Sequence, residues 1–262
     1  MTADGQTLTI ETQEPVPALI NYLSDPYGCI IDMEAGVTDD GNVSATGPYQ
    51  ATKVETDKGL TLIKNEDYWN GTPHLDTIYV KTITDGDTMT MSMQSGELDA
   101  AYGLPYASLS LFENDPYTIS SVETSRSFYG TINYESEVLQ DENVRRAIAG
   151  AIDKENFTRV LMNGNGSPAV GPFPASFTFG DSTVTAQEYD PEASKKLLAD
   201  AGWKDTDGDG YVEKDGEKLT IRWLTYPSRQ ELPLLAESVQ ATLKEIGIDV
   251  QVNNTANHLD FV

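Results

Sequence analysis

"KLTIRWLTYPSRQELPLLAESVQATLKEIGIDVQV", residues 218–252, decides the fold class. The opening "KLTIRWLTY" alternates apolar and polar residues as a half-buried strand does. Leu232, Leu235, Ala236, Val239, Leu243 and Ile246 then recur at helical spacing, and Gly247 stops the helix before "IDVQV" resumes the alternation. A strand, a helix and a strand in succession return to one sheet as parallel neighbours. The sequence therefore predicts a βαβ unit, and with it an α/β protein.

Upstream of this unit helices dominate back to Asp141. "DPEASKKLLADAG" (190–202) starts on an Asp-Pro pair, places Ala193, Leu197 and Leu198 inward and stops at Gly202. In "DENVRRAIAGAID" (141–153), Val144, Ala147, Ile148, Ala151 and Ile152 share one face and leave Arg145 and Arg146 on the other. Asp153 is placed to cap a further helix carrying Phe157, Val160 and Leu161, which ends at "NGNG".

The first half reads differently. "QTLTIET" (6–12) is strand-like, and Pro15 and Pro17 open a short helix with Leu19, Ile20 and Leu23. "TGPYQATKVETDKGLTLIKNEDYW" (46–69) predicts two strands around a "DKG" turn, with "HLDTIYVKTI" (74–83) as a third, an antiparallel unit. "DGDTMTMSMQSGELDAAYG" gives a capped helix with Met89, Met91 and Met93, read as core, and then a short strand ending near Tyr102. "YASLSLFEN" is helical, and "YTISSVETS" (117–125) and "SFYGTINYE" (127–135) are predicted strands.

The 262 residues, 39% of them hydrophobic, suffice for one large domain or two modest ones. The chain carries 42 acidic against 17 basic residues, a formal net charge of −25. A field of that sign repels nucleic acid and anionic lipid surfaces. It suits a protein working outside the cytoplasm or one that attracts cations. A single cysteine, Cys29, excludes an internal disulfide framework and a multi-cysteine zinc site, and is expected to be a small buried residue.

No run approaches the roughly 20 apolar residues of a membrane helix, and the first residues lack the basic and apolar regions of a signal peptide. A strand pattern beginning almost at once suggests a fragment of a longer protein. His74 and His258 have no serine, cysteine or carboxylate partner at a recognisable catalytic spacing, and "MNGNGSPAVG" lacks the lysine of a phosphate loop. The expectation is a protein without enzymatic activity.

Residues 205–217, "DTDGDGYVEKDGE", space three aspartates at alternate positions before a glycine. An EF-hand loop draws oxygens from positions 1, 3, 5, 7 and 9 and a bidentate Glu from position 12. Asp205, Asp207, Asp209, the Tyr211 carbonyl and Glu213 match the first five, but position 12 is Gly216 and a strand pattern follows where a helix would exit. Two readings stay open: a structural calcium held by Asp205, Asp207, Asp209 and Glu213, or a solvated helix-to-strand turn. No cofactor is required by either.

"TGPYQATK", "NEDYWNGTPHLDTIYVKTI", "MQSGELDAAYGLP", "INYES" leading into "DENVRRAIAGAIDKENF", "YDPEASKKLLADAGW" and "LTIRWLTY…IGIDVQV" occur in one order and at consistent spacing. The series resembles the family 5 solute-binding proteins of bacterial ABC importers, which carry oligopeptides, dipeptides and nickel complexes. The resemblance implies a periplasmic-binding-protein-like architecture of two lobes, with residues 1–127 part of the first and 128–262 part of the second, the chain being an internal fragment of both. It implies a monomer that takes a peptide or nickel chelate between the lobes and delivers it to membrane permease subunits, located in the periplasm or on the cell surface as a lipoprotein. Family members also carry acidic turns like residues 205–210 after "AGW", which favours the turn reading of that loop.

The family's cleft-facing loop matches the stretch after "SGELDAAYG", and its ligand-contacting crossover matches "SFYGTINYES". The resemblance thus points to Tyr102, Gly103, Tyr129 and Asn133 as ligand contacts. "LSDPYGCIID" departs from the pattern, with Asp25 and Gly28 where an arginine for ligand carboxylates is expected, and this weakens the nickel-chelate reading. The alternative from a different class is an acidic, calcium-stabilised surface or interaction module with no transport role.

Overall fold

The structure, a computed structural model, describes residues 1–39, 42–174, 177, 179–180, 184–227 and 229–255. His258 lies outside the described residues. The chain forms two compact units, Met1–Thr88 and Met89–Val262.

In the first unit, β1 (Thr2–Asp4) and β2 (Thr7–Thr9) form a short antiparallel hairpin, where the sequence reading gave one strand. Gly5 at the turn has φ +55°, the left-handed conformation a tight reversal needs. A single turn of helix, α1 (Leu19–Leu23), follows. The main element is the antiparallel sheet of β3 (Tyr49–Glu55), β4 (Gly59–Lys64) and β5 (Thr77–Lys81), in that spatial order, as the alternation predicts. Cys29 is exposed, contrary to expectation, because the chain around it carries Tyr27, Ile30 and Met33 into solvent and forms no core that could enclose it.

The second unit begins with α2 (Gly86–Gln94), which reaches across the unit boundary and is capped by the Asp85 carboxylate accepting from Thr88 N at 2.8 Å. Met91 is exposed and Met89 and Met93 are only half-buried, so the methionine stripe is not the buried core its reading predicts. Residues 106–112 make a 3₁₀ turn that buries Phe112 edge-on against Tyr117. The strands read at 117–125 and 127–135, and the one ending near Tyr102, are not formed. A strand needs a hydrogen-bonding neighbour, and none pairs with these segments among the described residues.

From here the reading and the structure converge. Helices α3 (Glu137–Gln140), α4 (Glu142–Gly150), α5 (Lys154–Asn156, continued by a wider turn to Leu161) and α6 (Pro191–Asp200) each start at or near an acidic residue. Asp141, Asp153 and Asp190 accept from backbone N–H groups at the starts of α4, α5 and α6. Helices α4 and α6 approach closely at Gly150, where an added Cβ would lie 2.7 Å from Ser194 Oγ. Leu197 and Leu198 face inward as predicted, but at the start of the helix Ser194 is buried and Ala193 exposed; the Ser194 hydroxyl is satisfied by the Asp190 carbonyl at 2.9 Å.

Two small strands, β6 (Glu213–Lys214) and β7 (Glu217–Lys218), form a hairpin. β8 (Thr220–Thr225), α7 (Glu231–Glu245) and β9 (Asp249–Asn254) then form the expected βαβ unit, β8 and β9 pairing in parallel from Thr220 opposite Asp249 to Thr225 opposite Asn254. Leu219, Ile221, Ile248 and Val250 from the strands meet Val239, Leu243 and Ile246 from α7, with Val144 and Ala147 of α4 and Leu198 of α6 completing one hydrophobic core.

Candidate functional site

The sequence points to two places in the second unit, and the structure builds them differently. Tyr102 stands 95% exposed in the loop after α2, and Gly103 beside it adopts φ +81°, a backbone conformation that favours glycine. Tyr129 is 70% exposed on the extended segment before α3. Asn133 serves the chain itself: its side-chain oxygen accepts from Glu135 N at 2.9 Å and shapes the turn into α3. Beyond it, the guanidinium of Arg145 lies 4.8 Å over the Tyr134 ring and donates to the Leu139 and Gln140 carbonyls, which ties this segment to α4. Gly130 sits against β8, where an added Cβ would lie 3.5 Å from the Trp223 ring. No hydrogen bond or ring contact joins Tyr102 or Gly103 to Tyr129 or Asn133 among the described residues. What they share is two tyrosine rings open to solvent, which offer flat amphipathic surfaces to a guest.

The acidic loop is closely knit. Asp205 accepts from Gly208 N at 2.7 Å through one oxygen and from Gly210 N at 3.1 Å through the other. Asp207 accepts from Asp209 N, and Asp209 from Tyr211 N. Glu213 Oε2 accepts from Thr206 N at 2.9 Å and from the Thr206 hydroxyl at 3.2 Å. Asp205, Asp207, Asp209 and Glu213 each offer an oxygen within 4.8 Å of the others. Such a set is mutually repulsive unless a cation or solvent screens it.

One internal cation partly does so. Lys218 Nζ lies 2.5 Å from Asp209 Oδ2 and 4.4 Å from the Tyr211 ring centroid. The Lys218 hydrogen bond, followed by that of Tyr211 N, holds the Asp209 carboxyl below the usual aspartate value, and the same hydrogen bond raises the Lys218 ammonium. Glu213 Oε1, however, is shielded from solvent and receives no hydrogen bond. An unpaired, shielded carboxylate oxygen on one member of a four-carboxylate cluster fits a hard, oxygen-seeking cation. The spacing of aspartates gave this cluster from sequence alone. The contributions of Thr206 and Lys218 were missed, because neither residue type is a feature of the calcium pattern.

The loop is anchored to the βαβ unit. Val212 N donates to the Gly247 carbonyl at 2.8 Å, and Gly247 has φ +84° with Val212 Cγ1 only 2.8 Å from where a Cβ would be. A surface hollow of ≈ 330 Å³ lies beside this junction, lined by Tyr211, Gln240, Lys244 and Asp249, and its lining includes neither Tyr102 nor Tyr129. His74 is exposed.

With the geometry in hand, comparisons with known proteins agree on one family. A family model described as "Bacterial extracellular solute-binding proteins, family 5 Middle" matches residues 2–260. The oligopeptide-binding protein AppA of Bacillus subtilis is 30% identical over 226 residues, covering 85% of this chain and 41% of AppA. The nickel-binding protein NikA of Staphylococcus aureus is 29% identical over 256 residues, covering 97% of this chain and 50% of NikA. The crystal structure of NikA from Brucella suis in complex with Fe(III)-EDTA superposes with a TM-score of 0.72 at 27% identity, over 85% of this chain and 46% of that one. The chain spans about half the length of these relatives. No described helix is long and apolar enough to cross a membrane. The α/β architecture and the match along almost the whole chain agree: this chain belongs to the bacterial extracellular solute-binding proteins, family 5.

Proposed function

We propose that the protein is the substrate-binding component of an ABC importer, which captures a peptide or a nickel chelate between two lobes and delivers it to membrane permease subunits. Residues 1–127 contribute to the first lobe and 128–262 to the second, and the protein acts as a monomer outside the cytoplasm, in the periplasm or as a surface lipoprotein. The observation that carries this reading is the family match over residues 2–260. Tyr102 and Tyr129, with the neighbouring Gly103 and Asn133, supply ligand contacts. Ligand binding works here by shifting the population of closed protein and needs no bond chemistry, consistent with the lack of any catalytic motif in the sequence.

A ligand that binds the folded state raises the melting temperature by mass action. A thermal-shift series with di- to oligopeptides and with nickel chelates should give a concentration-dependent rise for at least one class. Stabilisation by neither class would sink the proposal.

A structural role for the acidic loop has its own support, the unpaired Glu213 Oε1. We propose that Asp205, Asp207, Asp209, the Tyr211 carbonyl and Glu213 hold a calcium ion that braces the turn between α6 and β8. Calcium should raise the melting temperature, EDTA should reverse the rise, and Glu213→Gln should abolish it. Indifference to calcium at millimolar concentration would leave the loop a solvated turn. The brace belongs to the binding protein and does not require a separate interaction module.

A further inference from the structure

An asparagine followed by glycine is a chemically fragile pair in water, and this chain has three: Asn70–Gly71, Asn163–Gly164 and Asn165–Gly166. The reaction needs only hydroxide and water. The glycine peptide nitrogen gives up its proton and attacks the asparagine Cγ; the Cγ–Nδ2 bond breaks, ammonia leaves with a proton gained, and a five-membered imide remains. Water then opens the imide at either carbonyl, giving aspartate or isoaspartate. A fold hinders the first step when hydrogen bonds occupy the glycine N–H or hold the asparagine amide, because these must open before the ring can close.

The two pairs of the second unit are hindered in this way. Gly164 N donates to the Thr158 carbonyl at 3.0 Å, and Gly166 N to the Gly164 carbonyl at 3.2 Å. Half-buried Asn165 is engaged through both ends of its amide. Its nitrogen donates to the Met162 carbonyl at 3.1 Å and the Asn163 carbonyl at 3.2 Å, while its oxygen accepts from the Ser121 hydroxyl at 2.9 Å. Asn70, in the connection between β4 and β5, has none of this. It is exposed, and its side chain makes no hydrogen bond among the described residues. Gly71 N meets no acceptor in hydrogen-bonding geometry among them either. The bonds that fix this connection lie earlier, at Asn65, which donates to the Pro48 carbonyl at 2.9 Å and the Gly47 carbonyl at 3.1 Å. Gly71 itself has φ +92° and open space on the side where a Cβ would stand, so nothing crowds the ring.

We propose that Asn70 is a site of spontaneous covalent modification, converted through the imide with Gly71 to aspartate and isoaspartate in the folded protein, while Asn163 and Asn165 are protected. The conversion alters the first unit in two ways. It adds a negative charge to a chain already at −25, next to Trp69, whose side chain is largely in solvent. In the isoaspartate form it also puts an extra methylene into the backbone that leads to β5.

The test holds the folded protein in mildly alkaline buffer, where more of the peptide nitrogen is deprotonated, and samples it over time by proteolytic mapping and mass spectrometry. Conversion of amide to acid is read from the mass, and chromatography separates the aspartate and isoaspartate peptides. The peptide bearing Asn70 should convert about tenfold faster than the one bearing Asn163 and Asn165, the factor imposed by a hydrogen bond of ordinary strength that must open first. In guanidinium chloride the pairs should react at similar rates, since the fold no longer distinguishes them. Gly71→Ala should slow the conversion severalfold by crowding the attacking nitrogen. Asn70→Gln should abolish it, the longer side chain closing only a less favoured six-membered ring. Equal rates at the two peptides of the folded protein would overturn the proposal, as would a rate at Asn70 that denaturant raises as much as it raises the others.

Discussion

The two compact units hold their apolar side chains in opposite ways. Among the described residues, every buried hydrophobic side chain belongs to the second unit, from Phe112 to Val250, and none to Met1–Thr88. The first unit instead carries Ile20, Tyr27, Ile30, Met33 and Val37 largely in solvent, and its three-stranded sheet is at best half-buried. The second unit draws on three helices and a parallel strand pair for one core. The difference shows where cohesion comes from: hairpins satisfy backbone hydrogen bonds locally, but only side chains gathered from distant stretches remove much apolar surface from water.

The largest effect tests that contrast directly. Leu243 is fully buried on α7, and Leu243→Ala should lower stability by about 2–5 kcal/mol through lost burial and the cavity left behind. Leu62, half-buried on β4, should cost about 1 kcal/mol on the same change. Denaturant unfolding of both variants measures the pair. Equal losses would break the comparison, since they would mean the first unit is as firmly packed as the second. Hydrogen exchange sharpens it: amides of α4, α7 and β8 should exchange only on global unfolding, and those of β1 and β2 through local opening.

How much of this was legible in the sequence follows the same division. The βαβ unit and the face of α4 could be read because Leu243, Val239, Val144 and Ala147 repeat with the period of their own helices, and a period is a local property. The β3–β4–β5 sheet could be read for a similar reason, its turn and its alternation both being written within a few residues. Residues 117–135 carry strand-like composition, but pairing depends on a neighbour that composition does not specify. Cys29 was misjudged because burial preference is an average over proteins with a core at that point. In the candidate site, the aspartate spacing of the acidic loop was visible, being local. The shielding of Glu213 Oε1 depends on the fold around it.

A middle-sized effect separates the acidic loop from the core to which it is attached. Gly247 ends α7 at φ +84° and leaves no room for a Cβ beside Val212. Gly247→Ala should cost about 1–2 kcal/mol from the left-handed backbone alone, with the Val212 contact adding to it. Because Val212 N bonds to the Gly247 carbonyl, the variant should also weaken any calcium-dependent rise in melting temperature. A Gly247→Ala protein with wild-type stability would show that the loop is docked too loosely for its neighbour to matter.

The smallest expected effect lies in the ion pair at the loop's surface, and its sign follows from the two shifts. The Asp209 carboxyl is held below its ordinary value of 3.8, first by the Lys218 hydrogen bond and then by Tyr211 N. Its contribution to stability is therefore fully present above pH 3.8 and is lost as the pH falls through the lowered folded value. Lys218 is raised above 10.5 by the same bond, so its contribution is present below that value and fades as the pH climbs through the raised one. In EDTA, to exclude calcium, Asp209→Asn should melt slightly below wild type between about pH 5 and 9, a gap that closes in strong acid and again in strong alkali. Both groups are exposed to solvent, so added salt should narrow the gap as well. A difference in melting temperature that stays constant from pH 2 to 9, or that widens in acid, would show that the charge of Asp209 does not stabilise the loop.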